Sequence, residues 1–148
     1  MAKISFTSPA PTLNFGIIGN CKSAALINED SSIDWCCLPQ FDSPSVFGKV
    51  IDENIGGHFK IECDTSYHIT QTYIKNTAIL CTRFENDNNA FEVLDFMPRF
   101  QKDNGSYHAP SELSRIMRHV KGKPSCRIIY NPKLEYAHGE TKSYVKKN

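Results

Sequence analysis

IGNCKSAALINEDSSIDWCCLPQFDSPSVF, residues 18–47, sets the fold class. Two short apolar runs, 23–27 and 33–38, flank Asn28-Glu-Asp-Ser-Ser32. Asn, Asp and Ser side chains hydrogen-bond their own backbone and tolerate tight turns, so the stretch predicts a β-hairpin. Pro39 and Pro44 bracket the next segment, Gln40-Phe-Asp-Ser43. Proline has no N–H to donate and a fixed φ, so the chain is expected to leave the sheet as an ordered loop. That loop turns Asp42 and Ser43, held between Phe41 and Pro44, toward solvent or a neighbour.

Similar runs recur on both sides of this segment. Upstream, Gly16-Ile-Ile-Gly-Asn20 lacks the spacing of a phosphate-binding loop, so its glycines are read as a bend before the hairpin. Downstream, Phe59, Ile61 and Cys63 alternate with polar residues, and 68–73 and 77–84 are strand-like. Asn86-Asp-Asn-Asn89 then separates 77–84 from 90–96, which predicts a second hairpin. Residues 113–120 and 125–130, with Lys121-Gly-Lys-Pro124 between them, make a third strand–turn–strand pattern. Residues 111–120 also fit a helix, and strand is favoured. The polar stretch 103–110 reads as an exposed loop. Short strands at roughly 8–12-residue spacing predict an antiparallel all-β sandwich.

With 148 residues, 40% of them hydrophobic, the chain suits one domain or part of a larger one. Its net charge of +1 makes no field for nucleic acid or an anionic membrane, and neither is expected as a partner. The local excess at Lys142, Lys146 and Lys147 reads as a solvated end. Residues 1–13 read as a flexible arm and contain no apolar run of the kind a signal peptide needs. No stretch approaches the ~20 apolar residues of a membrane span. A cytoplasmic protein is the expectation. The six cysteines show no CxxC and no paired histidine spacing, so they are read as free thiols acting as small apolar residues, with no metal site and no cofactor implied.

Catalytic chemistry finds little support among these residues. Glu29 and Asp30 lie in a turn, where solvated polar residues are ordinary. Asp95, ahead of Phe96-Met-Pro98, reads as a carboxylate accepting backbone hydrogen bonds at a strand end. The five histidines pair with no cysteine in any local pattern. Trp35, the only tryptophan, is read as a core anchor beside Leu38, with a sugar-stacking platform as the alternative. The run 142–146 alternates as if another strand were beginning, so either the sandwich closes near the last residues or it lacks a continuation.

Several of these segments together resemble one family. Ile18-Gly-Asn-Cys21, Ala24-Ala-Leu26, Ser32-Ile-Asp-Trp35, Cys37-Leu-Pro39, Phe41-Asp-Ser-Pro-Ser45 and Phe47 are similar to the N-terminal region of glycoside hydrolase family 15, the bacterial and archaeal glucoamylase- and trehalase-like proteins. Gly56-Gly-His-Phe59, Tyr73, Thr77, Leu80, Asp95-Phe-Met-Pro98, the run 115–122, Tyr130-Asn-Pro132 and Tyr136 continue the likeness in order, over about residues 14–138.

The resemblance implies a large β-sandwich preceding an (α/α)6 barrel that carries two catalytic glutamates of an inverting mechanism. Residues 1–148 would then be the first part of that larger sandwich, without the barrel and inactive alone. The implied partners are the barrel and, for the whole enzyme, an α-glucan or trehalose. Trp35, Gln40, Phe41 and Asp42 are expected to line the barrel interface or the rim of its active site, and no catalytic residue is assigned within the chain. Relatives usually carry arginine where this chain has Gln40, so a charged five-donor fork is replaced by a neutral amide. The competing expectation is a free-standing β-sandwich that binds carbohydrate or a protein.

Overall fold

Asn28 makes the first hairpin. Its side-chain oxygen accepts from the N–H groups of Asp30 and Ser32, each at 2.9 Å, and its carbonyl accepts from Ser31, which takes φ 60°. This turn joins β2 (Ala24–Asn28) to β3 (Ser32–Cys37). Asn86 repeats the device, accepting from Asn88 and Asn89 at 3.1 and 2.8 Å between β7 (Leu80–Glu85) and β8 (Ala90–Phe96). The structure is a computed structural model that describes residues 14–144. The expected arm 1–13 and Val145, Lys146 and Lys147 of the alternating basic tail lie outside the described residues.

The remaining strands are β1 (Phe15–Gly19), β4 (Ser45–Phe47), β5 (His58–Glu62), β6 (His68–Tyr73), β9 (Phe100–Gln101), β10 (Tyr107–His108), β11 (Ser114–Lys121) and β12 (Arg127–Asn131). All pairings are antiparallel. One sheet runs β1-β2-β3-β5-β12, with β4 also on β3; a second runs β11-β8-β7-β6; β9 and β10 pair with each other. The two larger sheets pack face to face. Ile18, Ile27, Ile33, Cys36 and Phe47 of the first bury with Leu80 and Met97, and Ile61 buries with Phe84, Phe91 and Val93 of the second. Each such side chain contributes about 1.5–3 kcal/mol by leaving water. The expected all-β antiparallel sandwich is the observed fold.

The structure revises or extends four local expectations. The glycine-bearing segment before the hairpin is strand β1, not a bend; Gly16 lies on its inner face, where a β-carbon would collide with Leu80 of the opposite sheet. The polar stretch after Phe100 is not simply a loop, because β9 and β10 close a small hairpin there around Lys102 and Gly105. After Pro44 the chain returns at once to the sheet it left, as β4 on β3. Finally, β11 and β12 are both strands but do not pair. β11 adds to β8 in one sheet and β12 to β5 in the other. Gly122 (φ 70°) makes the crossover, its neighbour Lys123 donating to Asn89 Oδ1 at 2.8 Å; a β-carbon at Gly122 would strike the Asn88 carbonyl.

Candidate functional site

Arg115 holds the two sheets together. Its side chain, only 3% exposed, grips Asp95 of β8 through Nε and Nη2 at 2.7 and 3.0 Å. It also donates across the sandwich to the carbonyls of Phe59 (2.8 Å) and Ser31 (2.9 Å), and its guanidinium lies 4.8 Å from the Phe59 ring centre. Burial pushes the Asp95 carboxyl up, and the hydrogen bonds and charge of Arg115 oppose the rise. The expected partners of Asp95, backbone N–H groups, are replaced by this side chain. The signal available in the sequence was an arginine at an inward position of an alternating strand, two residues before Met117.

The proline-bracketed loop is built as the sequence requires. Leu38–Pro39 is cis, Gln40 N–H donates to Ser43 Oγ at 3.1 Å, and Phe41 N–H donates to the Lys22 carbonyl at 2.9 Å. The main chain is thereby pinned while the side chains of Gln40, Phe41 and Asp42 face solvent, the Phe41 ring 61% exposed. Trp35 stands apart from them. It pairs in register with Leu26, whose neighbours Ala25 and Ile27 point into the core, so both lie on the outer face of the six-stranded sheet. Ile17 continues the row on β1, and Tyr136 tilts over Trp35 at 6.2 Å. Trp35 is therefore not the core anchor expected beside Leu38; it is a half-buried aromatic on an outward apolar row. Tyr136 reaches it from a left-handed turn, Leu134–Ala137, in which Glu135, Tyr136 and Ala137 have φ 53°, 58° and 63°.

A second apolar surface went unforeseen. Cross-strand partners share a face, and Ile128 is opposite the buried Ile61 while Tyr130 is opposite Phe59. Both are thus inner-face residues, yet they are 57% and 55% exposed. Met117, on the same side of β11 as the buried Arg115, is 41% exposed. The flank between β11 and β12 is open: its groove of about 410 Å³ is lined by Phe91, Met117, Pro124 and Cys126 among others. The opposite edge is treated differently, since the Tyr73 hydroxyl accepts from Ile17 N–H at 2.7 Å and donates to Ile17 O at 2.8 Å, covering the outer main chain of β1.

The structured carboxylates are committed to structural work. Glu92 is paired with Arg118 and Arg83, which hold it below the usual carboxylate range. Asp34 accepts from Ser32 and Asn28, and Asp52 from the N–H groups of Asn54 and Ile55. Among the described residues no three His, Cys, Asp or Glu side chains gather as metal ligands, and no helix is long and apolar enough to cross a membrane.

The family model of the trehalase-like N-terminal domain matches residues 5–148. A trehalase of Thermoplasma volcanium is 32% identical over 136 residues, which is 90% of this chain and 21% of that protein. Trehalase 1 of Sulfolobus acidocaldarius is 38% identical over 87 residues, 59% of this chain and 15% of the relative. A Mycolicibacterium smegmatis trehalase is 31% identical over 139 residues, 85% of this chain and 21% of the relative. The chain thus spans between 15% and 21% of the length of these curated relatives. No solved structure matches it significantly. With the model matched almost from end to end on an all-β sandwich, the chain belongs to the trehalase-like N-terminal domain family.

Proposed function

We propose that this chain is the non-catalytic N-terminal sandwich portion of a family 15-like glycoside hydrolase of trehalase or glucoamylase type, and that the catalytic domain docks on surfaces the sandwich leaves open. In such an enzyme an acid and a base carboxyl flank the glycosidic bond of trehalose or an α-glucan, ~6.5–9.5 Å apart so that water fits between base and sugar. Those groups belong to the partner domain, an (α/α)6 barrel, a reading supported by the strand-borne carboxylates Asp34, Glu85, Glu92 and Asp95 being engaged in hydrogen bonds and ion pairs within the sandwich. The observation that carries the reading is the open flank, where the inner-face residues Met117, Ile128 and Tyr130 are exposed. Apolar inner faces are stable only when covered, so further strands of the same sandwich belong over them.

Gln40, Phe41 and Asp42 on their pinned loop, and Trp35 with Tyr136 on the outer face, are the residues proposed to meet the barrel. A neutral Gln40 donates and accepts at that contact, where a guanidinium would seek a carboxylate. A cytoplasmic location is part of the reading.

A chimera tests it. With this chain in place of the matching segment of the Thermoplasma volcanium trehalase, trehalose hydrolysis is expected to persist. Ile128→Lys in the chimera is expected to lower the rate at least about tenfold, as burying one unpaired charge costs more than about 1.4 kcal/mol. A folded chimera whose activity ignores Ile128→Lys contradicts the covering of that flank in the whole enzyme.

A further inference from the structure

We propose that Cys63 and Cys126 are a redox-modification site, a cross-strand thiol pair that closes to an intramolecular disulfide and staples β12 onto β5. The β5–β12 ladder ends at Glu62 opposite Arg127, with the two side chains 3.9 Å apart as an ion pair. One further step in that register sets Cys63 opposite Cys126. The parity is the same as for Ile61 and Ile128, so both thiols point inward, and both pack against the same cluster of Ile61, Phe84, Phe91 and Val93. Directly opposed residues of an antiparallel pair have Cα atoms about 4.5–5.5 Å apart, inside the range that a disulfide spans. Cys36 and Cys37, by contrast, are neighbours on one buried strand.

In this 148-residue chain, the form tested below, access comes from the open flank, since Cys126 lines its groove. With a low-molecular-weight disulfide such as oxidised glutathione as the oxidant, the Cys126 thiolate attacks one sulfur and releases one glutathione thiolate. The Cys63 thiolate then attacks the mixed disulfide at the Cys126 sulfur and releases the second glutathione. Two protein thiols lose two protons and two electrons, and the oxidant becomes two thiols. Burial pushes the Cys63 thiol up to about 11, with the neighbouring Cys126 adding to the rise, and burial raises Cys126 as well. Only a small fraction is thiolate at neutral pH, so closure speeds up about tenfold per pH unit while the attacking thiol stays mostly protonated.

The bond would enclose everything from β6 to β11, a long loop, where cross-linking removes much unfolded-state freedom. The chain is incubated with oxidised glutathione at about pH 7 and about pH 9, alkylated without reduction, and mapped by mass spectrometry. The expected product is a monomer two hydrogens lighter with the Cys63 and Cys126 peptides joined, formed faster at the higher pH. Its melting temperature should rise by roughly 5 °C or more and return on reduction, with no such rise in Cys63→Ser or Cys126→Ser. The proposal is overturned if both thiols stay alkylatable while exposed Cys21 carries glutathione. It is equally overturned if the link joins two chains, or if the serine variants gain the same stability.

Discussion

Asp95→Asn should destabilise the chain by about 3–5 kcal/mol, the cost of leaving a buried cation without its counter-charge. Among the described residues Arg115 has no alternative carboxylate within its grip: its other acceptors are the carbonyls of Ser31 and Phe59 and the Ser31 hydroxyl. Against a typical folding stability of about 5–15 kcal/mol, the loss is a large share. Urea unfolding followed by the fluorescence of Trp35, the single tryptophan, reads it directly. The double substitution Asp95→Leu with Arg115→Met should recover only part of the loss. The buried charges vanish, but the Ser31 and Phe59 carbonyls lose donors, at about 1–3 kcal/mol for each one left unsatisfied. A destabilisation by Asp95→Asn of under about 1 kcal/mol would mean that the clasp does not hold the sheets.

Phe84→Ala carries the other large effect. Phe84 is fully buried on β7 and stacks on Phe91 of β8, ring centres 4.7 Å apart and planes 2° from parallel. Removing it deletes the middle of the second core cluster and leaves a cavity between Ile61 and Val93, which the sheets cannot close without shearing their registers. A loss of about 3–5 kcal/mol is expected, with the urea midpoint lowered and its slope unchanged. A changed slope would instead mean that the sandwich had loosened as a whole.

The parts of this fold that local chemistry controls were readable in advance. Asn28 and Asn86 announce their hairpins because the side chain that makes the turn sits within it. Alternation identified β5 through Phe59, Ile61 and Cys63, and it favoured strand for β11, where a helix also fitted. What periodicity does not encode is which strand a strand will pair with. β11 and β12 adjoin in sequence, yet each completes a different sheet, a choice made by Arg115 reaching Asp95 and by Ile128 and Tyr130 meeting Ile61 and Phe59. The glycines of β1 look like a bend until Leu80 of the opposite sheet takes the space a side chain would need.

The proposed site divides along the same line. Its loop was legible because Pro39, Pro44 and Ser43 dictate it locally, and its exposure follows. Trp35 was misplaced because strand parity across the bulge between β2 and β3, near Leu26 and Ile27, cannot be counted from sequence. The open flank was invisible for a different reason: Ile128 and Tyr130 have the pattern of core residues and take core-facing positions, and only the arrangement of sheets reveals that no described strand lies over them.

This sandwich is expected to support hydrolysis without performing it. The purified 148-residue chain, folded by the Trp35 fluorescence criterion, is incubated with trehalose and with maltooligosaccharides, and released glucose is measured against buffer. Glucose release at the buffer rate is predicted for both. Turnover by this chain, lost on substitution of one of its own carboxylates, would overturn that division of labour and put the catalytic groups inside the sandwich.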